Sequence, residues 1–227
     1  MAISPSRWLA NEARVSWWRE KEVLSIPNGL PLHQPKRTKS EVRKAYGIEG
    51  DARVLVTIAG DLSEARKGGD YLREAVKWFR GRSDMKWILI GANAPVDKEA
   101  MSNVLVAGVI SDEERRMELL ACADIFVHPA PCDNLPNVLV ESLSVGVPIV
   151  GFAVGGVPEI VTSEVGWLAA SVSTGALCAC VQTALSELPA REVYMSGACR
   201  ERAANEYSID IQARRYEQCF ASLAASR

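Results

Sequence analysis

The sequence has few of the residues that build metal sites, redox motifs and nucleic-acid surfaces. Its 227 residues include two histidines and no CxxC spacing among six cysteines, which argues against a metal site or a redox pair. Lys and Arg (26) are balanced by Asp and Glu (28), so no basic excess indicates nucleic-acid binding. No apolar run reaches the roughly 18–20 residues of a membrane helix, and the charged N-terminus lacks a signal-peptide core. We therefore expect a cytoplasmic protein, either free or at the inner face of a membrane.

Buried strands alternate with amphipathic helices through most of the chain. Continuous apolar runs such as "ARVLVTIAGDL" and "MKWILIGAN" are typical of parallel strands that are covered on both faces. Four more strands are predicted in "NVLVAGVI", "ADIFVHPA", "VPIVGFAVGG" and "VGWLAA". The alternation predicts an α/β fold, namely an open parallel β-sheet of about six strands with helices on both faces.

Shorter elements flank this predicted sheet. Ser4-Pro5-Ser6 predicts the start of a helix that runs to about Trp18, and "VLSIPNGL" predicts a short strand before a proline-broken linker. We expect Ser40 to cap the helix that ends near Gly47, and Ser111 to cap the helix before the fourth strand of the sheet. Three helical segments are expected to end the chain.

The loop after the first strand of the sheet is the first candidate binding segment. Open parallel sheets bind ligands at the carboxyl ends of their strands, and "DLSEARKGGDYL" brings Arg66 and Lys67 to that edge, beside a helix start. Two cations and the backbone amides that glycine leaves accessible suit a diphosphate. A solvated, charged loop is the alternative interpretation.

The stretch "PCDNLPNVLVESLSVGVPIVGF" places two carboxylates around an apolar helix. Pro136 suits the first helical turn, with Asp133 or Asn134 as its cap. Asn137 and Glu141 share one face of this helix, and a buried Glu141 needs a partner. A ribose diol, which donates two hydrogen bonds to one carboxylate, is one candidate partner, and a buried arginine or a backbone turn is the other.

The start of the same helix is a second candidate anion site, because its first N–H groups have no partner within the helix. It spans Leu135–Asn137 and comes from a different strand end than the Arg66–Lys67 loop. Two possible phosphate sites and one carboxylate suited to a diol indicate a nucleotide diphosphate across the strand ends. His128, at the end of the fourth strand, is interpreted as a packed rather than a catalytic histidine.

Together these segments resemble the C-terminal half of retaining GT-B glycosyltransferases, the large group that includes bacterial mannosyl-, glucosyl- and N-acetylglucosaminyltransferases. The family pattern is a strand that ends in Gly, a Lys-Gly pair, two acidic residues separated by seven, Gly-x-Pro and Gly-Gly-x-Pro-Glu. Here the acidic pair is Asp133 and Glu141, and the later pieces are Gly146–Ile149 and Gly155–Glu159. The resemblance covers about residues 3 to 222 and implies the Rossmann-like half of a GT-B fold.

The resemblance also implies a role for each site residue. Glu141 would bind the ribose, Lys67 with Arg66 would bind the diphosphate, and Asp133 would face the sugar hydroxyls, so that Asp133 and Glu141 are the catalytic pair. Backbone groups would line the base and help to bind phosphate at Gly91, Val109, Asn134, Leu135, Pro136 and Asn137. No metal and no further cofactor is implied, since the UDP- or GDP-linked sugar is the donor substrate. Asp133 replaces the usual Glu, and Asp61 stands where many members have Arg.

The resemblance divides the chain into three parts. Residues 1–35 would be the exit helix and hinge of a first domain, residues 36–207 the nucleotide-sugar-binding domain, and residues 208–227 a helix that crosses back toward the first domain. The expected function is transfer of a hexose to a glycan or lipid-linked acceptor in polysaccharide biosynthesis. The acceptor domain would lie elsewhere, in the same chain or in a separate one, so that this chain alone lacks full activity.

Two other functions are compatible with the same residues. The first is a non-catalytic nucleotide-sugar-binding module that works with a separate acceptor-domain chain. The tryptophans Trp8, Trp17 and Trp18 near the N-terminus favour this function, because they could form the surface that contacts the partner. The second is a GT-B-like sugar-nucleotide epimerase, which the spacing of the acidic pair and the RKG loop disfavour.

Overall fold

The computed structural model describes residues 1–48, 50–96 and 102–225. Two short parallel strands, β1 (Ala2–Ser4) and β2 (Val23–Ser25), pair with each other near the N-terminus. The main sheet contains β3 (Arg53–Asp61), β4 (Met85–Ala92), β5 (Val104–Gly108), β6 (Ile125–His128), β7 (Ile149–Phe152) and β8 (Gly166–Ala169). Its order is β5-β4-β3-β6-β7-β8, and every neighbouring pair is parallel. The predicted six-stranded open parallel sheet is therefore confirmed.

Helices cover both faces of this sheet, as predicted. The helices are α1 (Arg7–Arg14), α2 (Lys39–Ala45), α3 (Gly69–Trp78), α4 (Glu113–Ala121), α5 (Asn137–Ser144), α6 (Val157–Ile160), α7 (Thr174–Tyr207) and α8 (Ile209–Ala225), with a 3-10 turn at Ala65–Lys67. Because side chains alternate along a strand, Val54 and Val56 of β3 enter one core with Leu139 of α5. Leu55 enters the other core with Leu72 of α3 and Leu177 of α7.

The first helix is shorter than the sequence predicts. It begins with Ser6 as its N-cap and ends at Arg14, not at Trp18. The side chain of Arg14 donates a hydrogen bond to the carbonyl oxygen of Val23, so the chain turns back toward β2. Trp17 is 99% exposed and therefore gains no packing that would extend the helix.

Three of the predicted helix caps are also wrong. Thr38, not Ser40, caps α2, in a reciprocal capping box with Glu41. Asp112, not Ser111, caps α4, because its carboxylate accepts from the N–H groups of the second and third helical residues. The N-cap of α5 is Pro136, which has no side chain that can accept a hydrogen bond, because the preceding Asp and Asn side chains bind other groups.

The C-terminal region contains two helices and not three. The 34-residue α7 continues through Pro189, where a break is expected from the missing N–H. Buried residues on both sides of the proline, Leu177, Val181 and Met195, pack on the sheet and hold the helix together. The second helix, α8, returns to the N-terminal segment, where Cys219 Sγ lies 3.9 Å from Met1 Sδ.

None of the helices within the described residues combines the length and the apolar character needed to cross a membrane.

The feature of the fold that matters most for the site is the direction of the chain in the sheet. It moves outward from β3 through β4 to β5, then returns to the other side of β3 and moves outward again from β6 to β8. The loops after β3 and β6 therefore diverge at a topological switch point, where open α/β sheets bind ligands.

Candidate functional site

A cavity of about 380 Å³ opens at this switch point. Its walls come from the carboxyl ends of β3, β4 and β6, from the segment after β5, and from the first turns of α4 and α5. The lining residues are Thr57, Ile58, Ala59, Gly60, Lys67, Ile90, Gly91, Val109, Ile110, Arg116, His128, Pro129, Pro136, Asn137, Val138 and Glu141. Six residues of the predicted site are among them: Lys67, Gly91, Val109, Pro136, Asn137 and Glu141.

The loop after β3 reaches the cavity because of Gly68. This residue has a φ of +83°, and a Cβ atom here would lie 2.0 Å from the carbonyl oxygen of Pro129. Glycine thus allows the RKGG loop to contact the segment after β6, which places Lys67 on the cavity wall. The adjacent Arg66 does not line the cavity, because its guanidinium pairs with Glu64 and is 57% exposed.

Lys67, Asp133 and His128 lie together beside the cavity, which Lys67 and His128 line and Asp133 does not. Lys67 Nζ donates to Asp133 Oδ2 at 3.0 Å, and His128 Nε2 lies 3.7 Å from the same oxygen. His128 Nε2 is buried and has no hydrogen-bond partner among the described residues. Burial lowers the pKa of His128 to about 4, although the Asp133 carboxylate opposes this shift, and the imidazole is therefore neutral at pH 7.

The Gly155–Gly156 turn supports the segment that carries Asp133. A Cβ atom on Gly155, whose φ is +54°, would lie 1.8 Å from the carbonyl oxygen of Asp133, and one on Gly156 would lie 1.9 Å from that of Asn134. The Asn134 side chain accepts a hydrogen bond from the hydroxyl of Ser6. The two glycines and Ser6 thus hold this segment from outside the cavity, and Asn134 itself does not line it.

Glu141 also lines the cavity, and 18% of its side chain is exposed, so the prediction that it is buried is correct only in part. The face of α5 that carries Asn137 and Glu141 is open to the cavity, while Leu139 and Leu143 on the other side are in the core. The partner of Glu141 is an arginine, since Arg116 Nη1 donates to Glu141 Oε2 at 2.5 Å.

Arg116 is a charged cavity residue that sequence reasoning missed. It lies in the first turns of α4, where the helix dipole favours the acidic residues Glu113 and Glu114 over a cation. The sequence offers one signal for Arg116, namely a basic residue at a position where the helix dipole favours acidic residues. Its partner, which lies 25 residues away on another helix, is visible only in the structure.

Five further predicted residues contribute backbone or packing. Pro136 and Asn137 start α5, and no side chain caps the first N–H groups of this helix, which lie beside the cavity. Leu135 is buried in the core and does not line the cavity. Gly91 and Val109 lie at the ends of neighbouring strands, and Val109 is 72% exposed.

Comparisons with known proteins identify the family to which the chain belongs. The family described as "Glycosyl transferases group 1" matches residues 53–187, which is more than half of the chain. The chain is similar to the amylovoran biosynthesis glycosyltransferase AmsK of Erwinia amylovora, with 29% identity over 217 residues that cover 90% of this chain and 49% of the relative. It is also similar to the GDP-mannose-dependent alpha-mannosyltransferase of Corynebacterium glutamicum, with 28% identity over 139 residues that cover 60% of this chain and 32% of the relative.

A solved structure shares the fold. The Anabaena protein HepE, in complex with UDP, superposes with a TM-score of 0.82 and 18% sequence identity over 97% of this chain and 63% of that protein. The chain therefore spans about a third to two thirds of the length of these three proteins. The match over residues 53–187 includes the sheet from β3 to β8 and the whole cavity. The chain therefore belongs to the group 1 glycosyl transferases.

Proposed function

We propose that this chain is the donor-binding part of a retaining hexosyltransferase and binds a nucleotide diphosphate sugar in the cavity at the switch point. The observation that carries the proposal is the cavity itself, which is lined by a lysine, a carboxylate and the start of a helix that has no side-chain cap among the described residues. HepE, which shares the fold, was solved with UDP and also with UDP-glucose.

Each part of such a ligand has a suitable partner. Lys67 and the N–H groups at the start of α5 suit the diphosphate, because a cation and a helix N-terminus both favour anions. Glu141 suits the ribose diol, and Asp133 beside Lys67 suits the hydroxyls of the sugar. Backbone at Gly91 and Val109 suits the base.

In the proposed transfer, the bond between the sugar and the diphosphate breaks, the sugar forms a bond to the acceptor oxygen, and the proton of the acceptor hydroxyl passes to the leaving diphosphate. Negative charge develops on the leaving diphosphate, and Lys67 and the α5 N-terminus stabilise it without a metal ion. Arg66 is exposed in the RKGG loop, and its predicted contact with a phosphate stays a prediction. The proposed acceptor is a glycan or a lipid-linked glycan at the inner membrane face.

Calorimetric titration with UDP, GDP, UDP-glucose and GDP-mannose tests the proposal. We expect binding of at least one of these, and we expect Lys67→Ala and Glu141→Gln each to weaken it by roughly tenfold or more, because each removes a charge-assisted contact. Lys77→Ala is the matched control, since Lys77 is also paired with a carboxylate but lies on α3 outside the cavity. No binding of any of the four compounds would contradict the proposal.

A second candidate is a non-catalytic nucleotide-sugar-binding module that acts with a separate acceptor-domain chain. The observation that favours it is the group of exposed apolar residues in and after α1: Trp8, Val15, Trp17 and Trp18. A fusion of this chain to the part of HepE that it does not match separates the two candidates. Transfer of glucose from UDP-glucose by the fusion supports the enzyme, and tight UDP-glucose binding without transfer supports the module.

A further inference from the structure

Arg116 and Glu141 form an ion pair on the cavity wall that the family pattern does not assign. Both side chains are half-buried, with 21% and 18% exposed, and Arg116 Nη1 lies 2.5 Å from Glu141 Oε2. The other carboxylate near Arg116 is Glu113, at 3.8 Å, and its side chain is 62% exposed. Glu141 is therefore the main partner of Arg116.

Arg116 occupies a position in α4 that does not favour a cation. A cation in the first turns of a helix is unfavourable for the helix, because the N-terminus already has a partial positive charge. Arg115, the adjacent residue, is exposed and donates to the hydroxyl of Tyr46, so it has no contact with the cavity. Arg116 instead extends from α4 across to α5, which places its guanidinium at the wall where the proposed ribose would lie.

The contact leaves part of the Glu141 carboxylate available. A carboxylate can accept about four hydrogen bonds, and Arg116 occupies one of these positions, on Oε2. Among the described residues, no group donates to Oε1. The two hydroxyls of a ribose can therefore bind to Glu141 while Arg116 stays in place.

We propose that Arg116 is a positioning residue for the ligand, and that it acts by fixing the Glu141 carboxylate so that its free oxygen accepts the ribose diol. This inference rests on the proposed function of the cavity. Without Arg116 the carboxylate would lose its one cationic partner, and its side chain would have to be ordered by the ligand at a cost in entropy.

The alternative role of Arg116 predicts the opposite sign. If Arg116 instead blocked Glu141 and had to be displaced by the ligand, its removal would tighten binding. If Arg116 positions Glu141, its removal weakens binding. The sign of the change in affinity for UDP or GDP thus separates the two roles.

The test uses calorimetric titration of the full chain with UDP and GDP and with their 2′,3′-dideoxy analogues. We expect Arg116→Ala to weaken binding of the ribonucleotide on the order of tenfold, and Arg116→Lys to restore part of the loss. The dideoxy analogue has no diol, so wild type and Arg116→Ala should bind it equally. Arg115→Ala is the matched control and should leave all affinities unchanged, and thermal unfolding checks that each variant is folded.

A double-variant comparison closes the test. If Arg116 acts through Glu141, then Arg116→Ala combined with Glu141→Gln binds no more weakly than Glu141→Gln alone. Additive losses, tighter binding by Arg116→Ala, or an equal loss with the dideoxy analogue would overturn the inference while the proposed function stands. Failure of the wild-type chain to bind either ribonucleotide would overturn both.

Discussion

Polar and charged side chains are paired within the protein at one end of the sheet and only partly paired at the other. At the amino end, before β6, Asp124 is buried, with 1% of its side chain exposed, and all of its contacts are made within the protein. Lys39 Nζ lies at 2.6 Å, Arg43 Nη2 at 2.8 Å and the N–H of Val54 at 2.7 Å. Burial raises the pKa of Asp124, but Lys39, Val54 and Arg43 together hold it below its usual value. A cavity of about 520 Å³ opens here, yet its charged walls are largely paired with one another.

At the carboxyl end the polar groups are only partly satisfied. His128 Nε2 has no partner among the described residues, Glu141 has one contact through one oxygen, and the start of α5 has no side-chain cap. Buried polar groups are normally paired, so groups left incomplete around a cavity indicate a ligand site. The ion pairs around the larger of these two cavities thus stabilise the fold, and the smaller cavity suits a ligand.

The largest effect that separates the two ends is expected at Asp124. Asp124→Ala removes the shared partner of several cations, and we expect it to lower the free energy of unfolding by about 3 kcal/mol. Nucleotide affinity of the folded fraction should not change, because the cavity lies at the other end of the sheet. Urea unfolding and calorimetric titration measure the two quantities.

Asp84→Ala is the control for this variant. Asp84 pairs with Arg82 at an exposed position, so its loss should cost less than about 1 kcal/mol. Equal costs for the two aspartates would show that the buried ion pairs do not stabilise the fold, and lost nucleotide binding in Asp124→Ala would show that the two ends are not distinct.

His128 provides a comparably large effect at the carboxyl end, through pH. The pKa of His128 is about 4 in the folded protein and about 6.5 when the chain is unfolded, so the unfolded state binds more protons between these values. The contribution of His128 to the free energy of unfolding is therefore fully present well above pH 6.5. It decreases as the pH falls, by about 3 kcal/mol at pH 4.

Urea unfolding between pH 4 and pH 7 measures this dependence. We expect His128→Gln to show a weaker pH dependence than the wild type by about one proton. His33→Gln is the control, since His33 is the other histidine and is ion-paired with Glu113 at the surface. An unchanged slope in His128→Gln would mean that the buried imidazole is not the cause.

The smallest of the three effects on stability is expected at Gly155. Gly155→Ala places a Cβ atom where the carbonyl oxygen of Asp133 lies, at a backbone φ of +54°, and we expect a loss of about 2 kcal/mol. Because Asp133 must move, nucleotide affinity should also fall. The control, Gly197→Ala, is in an exposed helical position with open space around it and should gain about 0.5–1 kcal/mol. Thermal unfolding and titration of both variants decide whether the glycine turn supports the site.

The fold could be predicted largely from sequence because its signals are local. Six apolar runs separated by helical patterns specify a parallel sheet, and all six are strands in the structure. The errors lie at helix ends, where competing residues such as Thr38 and Ser40 are both good caps and tertiary contacts decide between them.

The candidate site was predictable only in part. Lys67 and Glu141 stood out because a basic Gly-rich loop and a carboxylate in an apolar helix are unusual in themselves. Arg116 and the His128–Asp133–Lys67 cluster did not, because their partners lie on other strands and helices.

The sequence by itself determined the number of strands in the main sheet, their parallel direction and the edge at which charged residues collect. These follow from hydrophobic periodicity and from the chemistry of single residues. The tertiary structure decided that the chain reverses between β3 and β6, and so brought Lys67 next to Asp133 and Arg116 next to Glu141. The physical reason is that strand order and helix packing depend on contacts between residues far apart in the chain, which local patterns do not specify.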